Sequence, residues 1–212
     1  MSRKDVERET RRRFILDAAR RVFAEKGVEE ASMDDIAREA EYTRRTLYAY
    51  FKSRDDIYLS IFIEDMEARR DMQCRAVAEQ ADGLERILAW GRAFYDYARE
   101  NPHAMRLQLY WDFRGIDENA VSPAFFLRFE AINQALAEDL RAMFRQGVAD
   151  GSLRPDLNLD MCISQYLYTL RAVLNRAISP SYSFARFDAD SYVHNYMDLV
   201  SRAIGRTGGT DV

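Results

Sequence analysis

Glycine and proline are scarce in this 212-residue chain, with nine and four copies. Folds of many hairpins need these residues at their turns. Their shortage argues against a β-rich architecture and for long helices built from the abundant Ala, Leu, Arg and Glu. Cysteine is almost absent as well. Cys74 and Cys162 are too few for a disulfide scaffold and too far apart for a zinc site, and His103 and His194 stand in no ligand spacing. Reduced cysteines, no metal and no cofactor are therefore expected. No run approaches the roughly 18 apolar residues of a membrane-spanning helix, and the polar start from Met1 to Val6 has no apolar signal region. The sequence predicts a cytoplasmic protein with no membrane partner. Catalytic signatures are missing too: there is no phosphate-cradling glycine loop, no Gly-x-Ser-x-Gly and no metal-spaced His or Cys. Individual Asp, Glu and Ser residues decide nothing either way, and a non-enzymatic protein is expected.

What is present is 48% apolar and 31% charged, the mix of a globular chain and not of a disordered one. The net charge of −4 is unevenly spread. Residues 1–54 hold 14 Lys/Arg against 11 Asp/Glu, a net +3, and the remainder carries −7. A slightly basic N-terminal module on an acidic body permits a nucleic-acid contact that the whole-chain charge disguises.

Helical periodicity runs through the sequence. A first helix over 12–26 aligns Phe14, Ala18 and Val22 beside Ile15, Ala19 and Phe23, preceded by a frayed mixed-charge arm and stopped at Gly27. Ser32 with Asp35 forms a capping-box signature for a short helix. After the turn Glu41-Tyr42, Thr43 caps another, and Ser53 with Asp56 repeats the cap. Further stripes cover 84–98, stopped at Asn101-Pro102, then 103–113. A loop follows over 115–123. Three more stripes cover 125–143, 159–174 and, capped by Asp188, 192–203. The class is all-α: an N-terminal three-helix head with a helix-turn-helix, joined to a C-terminal helical bundle for ligand binding and dimerisation. The domain division expected is 1–54 and 55–212.

Residues 33–40 and 44–50 have the lengths of a helix-turn-helix, with a three-residue link. Ala37 and Ala40 let the two helices cross closely, while Leu47 and Phe51 point inward. That leaves Arg44, Arg45, Thr46 and Tyr48 outside. Arginine can grip guanine O6 and N7, threonine can meet a base, and tyrosine hydroxyls suit phosphate oxygens, as does the capping Thr43. The plainer alternative is a solvated face, which two arginines alone would not exceed.

Four spaced elements then carry a resemblance: Phe14-Ile-Leu-Asp-Ala-Ala19, Val22-Phe-Ala-Glu-Lys-Gly27, Ser32-Met-Asp-Asp-Ile-Ala37 and Thr46-Leu-Tyr-Ala-Tyr-Phe-Lys-Ser-Arg-Asp-Asp-Ile57. Together they resemble the DNA-binding domain of tetracycline-repressor (TetR) family regulators over about residues 12–60. The resemblance implies that Thr43, Arg44, Arg45, Thr46, Tyr48 and Tyr50 face DNA. It places Lys52 on the connection and Arg54 where the family usually has a phosphate-binding lysine. One departure is clear. The family's turn commonly reads Ala-Gly-Val-Ser, whereas Ala40-Glu41-Tyr42-Thr43 stands here, so a positive φ at Glu41 would cost on the order of 1 kcal/mol.

In the body the last two helices are apolar on more than one face, which a second copy of the same pair would cover; burial of both faces inside one subunit is the alternative. A homodimer through these two helices would place two reading helices one DNA turn apart, on a near-palindromic double-stranded operator. The family implies a small-molecule effector that releases the DNA. Trp90, Phe94, Tyr97, Arg106, Tyr110, Trp111, Phe125, Phe129 and Tyr166 are the candidate chamber residues, and with Arg106 and Arg128 near in sequence they suit an apolar or aromatic ligand that can carry a negative group. Aromatics at helical spacing are more often core. A transcriptional repressor is therefore expected. The other readings are an activator of the same fold or a helical interaction or scaffold protein.

Overall fold

Helix limits fall where the capping residues put them. The computed structural model describes residues 2–115, 118–178 and 188–206. Its helices are α1 (Arg3–Lys26), α2 (Met33–Glu39), α3 (Arg44–Tyr48), α4 (Arg54–Ala78), α5 (Gly83–Glu100), α6 (Pro102–Arg114), α7 (Pro123–Asp150), α8 (Leu159–Ile178) and α9 (Ala189–Ile204). Among the described residues the one β-type pairing is an isolated bridge between Leu153 and Gly205, and no helix is long and apolar enough to cross a membrane. Ser53 accepts the Asp56 N–H at 3.1 Å and Asp188 that of Ser191 at 2.9 Å, the two caps anticipated for α4 and α9.

Three features differ from the sequence-based expectation. The expected frayed arm is helical, because Ser2 and Asp5 form a capping box and Glu7 pairs with Arg11 one turn later. Phe14 faces solvent at 59% exposure. The buried line of α1 is Ile15, Leu16, Ala18, Ala19, Val22 and Phe23, so the stripe is displaced from the one that Phe14 suggested. In the predicted loop 115–123, a 3-10 turn spans Glu118–Ala120; residues 116 and 117 lie outside the described residues.

The chain divides into two compact units, Met1–Met66 with His103–Ile132 and Glu67–Pro102 with Asn133–Val212. In the first, α4 is buried from Ile57 through Ile63. Tyr58 is completely buried and donates to the Leu107 carbonyl at 2.9 Å, and burial pushes its phenol far above the usual range. Four charged residues of α1 and α4 form a network in this unit. Arg20 donates to Asp65 at 2.8 Å and to Glu64 at 3.1 Å, while Arg12 reaches Glu64 at 3.4 Å.

In the second unit α5, α8 and α9 pack on one another. Gly91 makes this possible: a Cβ there would lie 2.2 Å from the Tyr166 hydroxyl and 2.7 Å from Met197 Cε. Tyr166 is thereby seated on α5 and donates to the Ile87 carbonyl at 2.8 Å. Arg70 grips Asp139 with two bonds, at 2.7 and 3.1 Å.

Candidate nucleic-acid interface

The reading head is assembled from local chemistry outward. Ser32 and Asp35 satisfy each other's backbone N–H at 3.1 Å, completing the capping box of α2. Asp35 also receives Lys26 Nζ at 2.7 Å. The Lys26 ammonium first, then Ser32, hold its carboxyl below the usual range. α2 ends in a Schellman turn. The Tyr42 N–H returns to the Ala37 carbonyl at 2.9 Å and the Glu41 N–H to that of Arg38 at 3.2 Å. That pattern needs a left-handed residue between them, and Glu41 supplies it with φ 56°. Glu41→Gly is therefore expected to stabilise the protein by about 1 kcal/mol, read as a melting-temperature rise of roughly 2–4 °C. It also removes a negative charge from the turn and should raise DNA affinity at low salt. A variant that melts lower than wild type would contradict the strain.

Thr43 accepts the Thr46 N–H at 3.2 Å and starts α3. Leu47 and Phe51, at 0% and 1% exposure, anchor this five-residue helix, so Arg44, Arg45 and Tyr48 are left exposed and Thr46 half-buried. The two arginines differ. Arg44 is held between Asp34 at 3.2 Å and the Tyr48 hydroxyl at 3.3 Å, with its guanidinium over the Tyr48 ring. Tyr48 first and Asp34 second raise its pKa. Arg45 makes no ion pair among the described residues. It can meet a nucleic acid with nothing to release, whereas Arg44 must first exchange Asp34.

The flanking candidates spend donors on the chain itself. Tyr50 is half-buried below Arg8. Lys52 Nζ bonds the Asn119 carbonyl at 2.8 Å. Arg54 bonds the Glu29 carbonyl at 2.8 Å and Asp55 at 3.1 Å. Sequence reasoning missed the reason these positions are so ordered. Asp56, fully buried, accepts from the Lys52 N–H at 2.7 Å and from both the N–H and hydroxyl of Ser122 at 2.6 Å. Ser53 donates to the Ala120 carbonyl at 2.7 Å. The cap signature at Ser53 and Asp56 was visible, but its partner 66 residues away had no local signal.

The nine chamber candidates fall into separate groups. Trp90, Phe94, Tyr97 and Tyr166 belong to the second unit, where Trp90 meets both Phe94 and Tyr166 at ring separations of 6.1 Å. Arg106, Tyr110, Trp111, Phe125 and Phe129 belong to the first unit. There Trp111 and Phe129 pack at 4.2 Å, Tyr110 lies edge-on to Tyr58 and Phe125 stacks on Phe51. The structure adds two polar residues beside the Trp90 group. Arg69 lies 4.0 Å over the Phe94 ring. Gln73, fully buried, donates to the Trp90 carbonyl at 3.3 Å, while its own Oε1 and the Trp90 indole N–H have no hydrogen-bond partner among the described residues. Arg69 and Gln73 both sit on α4.

A capped two-helix reader with outward arginines, carried on a helical body, defines the class of helix-turn-helix transcription regulators. Residues 15–61 match the family described as bacterial regulatory proteins, tetR family. The chain is 30% identical over 156 residues to the transcriptional repressor KstR2 of Mycobacterium tuberculosis, covering 72% of this chain and 74% of that protein. The protein belongs to the TetR family. It is also 30% identical over 100 residues to the transcriptional activator FasR of Mycolicibacterium smegmatis, covering 47% of this chain and 46% of FasR, so the match spans about half the length of that relative. In three dimensions it resembles the regulator FadR of Bacillus subtilis, solved in complex with stearoyl-CoA. The TM-score is 0.70 at 18% identity, covering 89% of this chain and 96% of that one.

Proposed function

We propose that the protein is a cytoplasmic repressor that binds a near-palindromic operator as a homodimer and leaves it when a small molecule binds. The observation that carries this reading is α3 itself, anchored by Leu47 and Phe51 and presenting Thr43, Arg44, Arg45, Thr46 and Tyr48 outward. Residues 1–54 are the reading part and 55–212 the effector and dimerisation part. Tyr50, Lys52 and Arg54 stand at its border, where backbone and side-chain donors can add phosphate contacts. Repression is favoured over activation because the relative aligned over most of its length is a repressor.

The dimer surface follows from what α8 and α9 leave uncovered. Their inner faces bury Ile163, Tyr166, Leu170, Leu174, Val193 and Met197, yet Met161, Tyr168 and Leu199 stay 58%, 66% and 57% exposed. Large apolar side chains left open on adjacent helices suit a second copy of the same pair. For the effector, Trp90, Phe94, Tyr97 and Tyr166 offer an apolar or aromatic wall, with Gln73 and the Trp90 N–H as unmet polar positions. Arg106, Tyr110, Trp111, Phe125 and Phe129 are further candidates in the other unit. An acyl thioester, the ligand class in the B. subtilis FadR structure, is the first effector to try.

The test is selection of genomic fragments by the purified protein, followed by gel shift of the enriched fragment at low salt, where phosphate contacts are strongest. A saturable shift with a two-fold-symmetric footprint is expected, reversed by acyl-CoA. Tyr168→Glu with Leu199→Glu is expected to sediment as a folded monomer and to lose the operator. No fragment retained at low salt would overturn the regulator reading, and an unchanged dimer would overturn the interface.

A further inference from the structure

We infer that the groove between the C-terminal end of α1 and α6, which holds the first-unit effector candidates Arg106 and Tyr110, is a binding site for a small amphipathic anion, one carboxylate- or phosphate-type head on an apolar body. The site is distinct from the proposed effector wall around Trp90 and lies wholly within the first unit. Its cavity of about 450 Å³ is within the size range of small-molecule sites. Its composition selects the ligand. On α6, His103, Arg106, Leu107 and Tyr110 recur at helical spacing and all line the cavity, opposite Phe23 and Val28 at the end of α1. Phe113 stands 83% exposed on the same lining.

The charge is one-sided. Arg20, His103, Arg106 and Arg114 line the cavity with a single acid, Glu29, which is engaged by Arg114. Arg20 is neutralised by Glu64 and Asp65, and His103 lies 3.3 Å from Arg20 and 3.6 Å from Asp65. Arg106 is exposed and makes no ion pair among the described residues, so it is the cation left to receive a head group. Desolvated apolar walls beside an uncommitted guanidinium fit an amphipathic anion and disfavour a cation. Occupancy also has a route to regulation. A head group near Arg20 competes with Glu64 and Asp65 for the guanidinium that joins α1 to α4.

The experiment uses full-length protein with decanoate, decyl phosphate, decyltrimethylammonium and inorganic phosphate, titrated by calorimetry and mapped by hydrogen exchange. Decanoate or decyl phosphate is expected to bind saturably and to protect residues 20–29 and 103–114, their ratio telling which head is preferred. The cation and inorganic phosphate should give no such protection. Arg106→Glu is expected to weaken the anion at least about tenfold, and Arg106→Gln to fall between; as Arg106 is exposed and unpaired, the ligand-free melting temperature should hold. Equal binding by Arg106→Glu, equal binding of the cation, or no binding of either anion would overturn the site. Protection confined to residues 87–97 and 163–170 would also overturn it while leaving the Trp90 effector reading standing.

Discussion

Alanine at Arg45 is expected to weaken operator binding by about 1–3 kcal/mol for each half-site, and so by twice that for a dimer on a symmetric operator. Arg45 is exposed on α3 and free of ion pairs among the described residues, so its removal costs nothing inside the protein. Arg44→Ala should lose less, because wild-type Arg44 must give up Asp34 before it can contact DNA. The measurement is a gel shift or anisotropy titration across salt concentrations. If Arg45 reads a base, the variant relaxes preference at one position per half-site. If it contacts phosphate, binding falls for all sequences and the salt slope drops by about 1 per contact. Circular dichroism and sedimentation should match wild type. Operator affinity unchanged in the Arg44→Ala, Arg45→Ala double variant would remove α3 from the interface.

Gly91→Ala is expected to destabilise the protein by about 1–3 kcal/mol, the overpacking and the lost bond being partly offset by roughly 1 kcal/mol of helix propensity gained when a mid-helix glycine is replaced. The added methyl would sit 2.2 Å from the Tyr166 hydroxyl and 2.7 Å from Met197 Cε, so it forces overpacking, which costs about 1–3 kcal/mol. It also displaces the buried bond from Tyr166 to the Ile87 carbonyl, worth roughly another 1 kcal/mol. Because the closest atom is the hydroxyl itself, Tyr166→Phe should partly rescue Gly91→Ala. That interaction energy is measurable in a double-mutant cycle by chemical denaturation. Strictly additive losses would mean that α8 shifts as a body, and that the Gly91–Tyr166 contact is not what sets its seat on α5.

Much of the reading head was legible because its signals are local. The caps at Ser32, Thr43 and Ser53 act on backbone N–H groups three residues away, as Asp188 does at α9, so the sequence carries both partners of each bond within one turn. The same holds for Glu41. The family pattern expects glycine, and the chain keeps the left-handed turn with a charged residue in its place. The exposure of Arg44, Arg45 and Tyr48 follows from the inward positions of Leu47 and Phe51. The extra turns of α1 were missed because Ser2 with Asp5 is a cap without an apolar stripe behind it.

The sequence by itself thus determined an all-helical chain, where most helices start and stop, and which short segment is the candidate reader of DNA. These depend on hydrogen bonds and periodicities a few residues long. Tertiary structure alone decided which donors remain free. Lys52 and Arg54 bond carbonyls at Asn119 and Glu29, Arg44 is shared with Asp34, and Arg45 is left over. Only the fold joins Asp56 to Ser122 and buries Gln73 against Trp90. Only the fold divides nine similar-looking chamber candidates between two units and sets Arg106 with Tyr110 beside α1. The reason is common to all of these. A polar side chain's role depends on partners tens of residues away, and helical spacing fixes the face of a residue without saying what that face will meet.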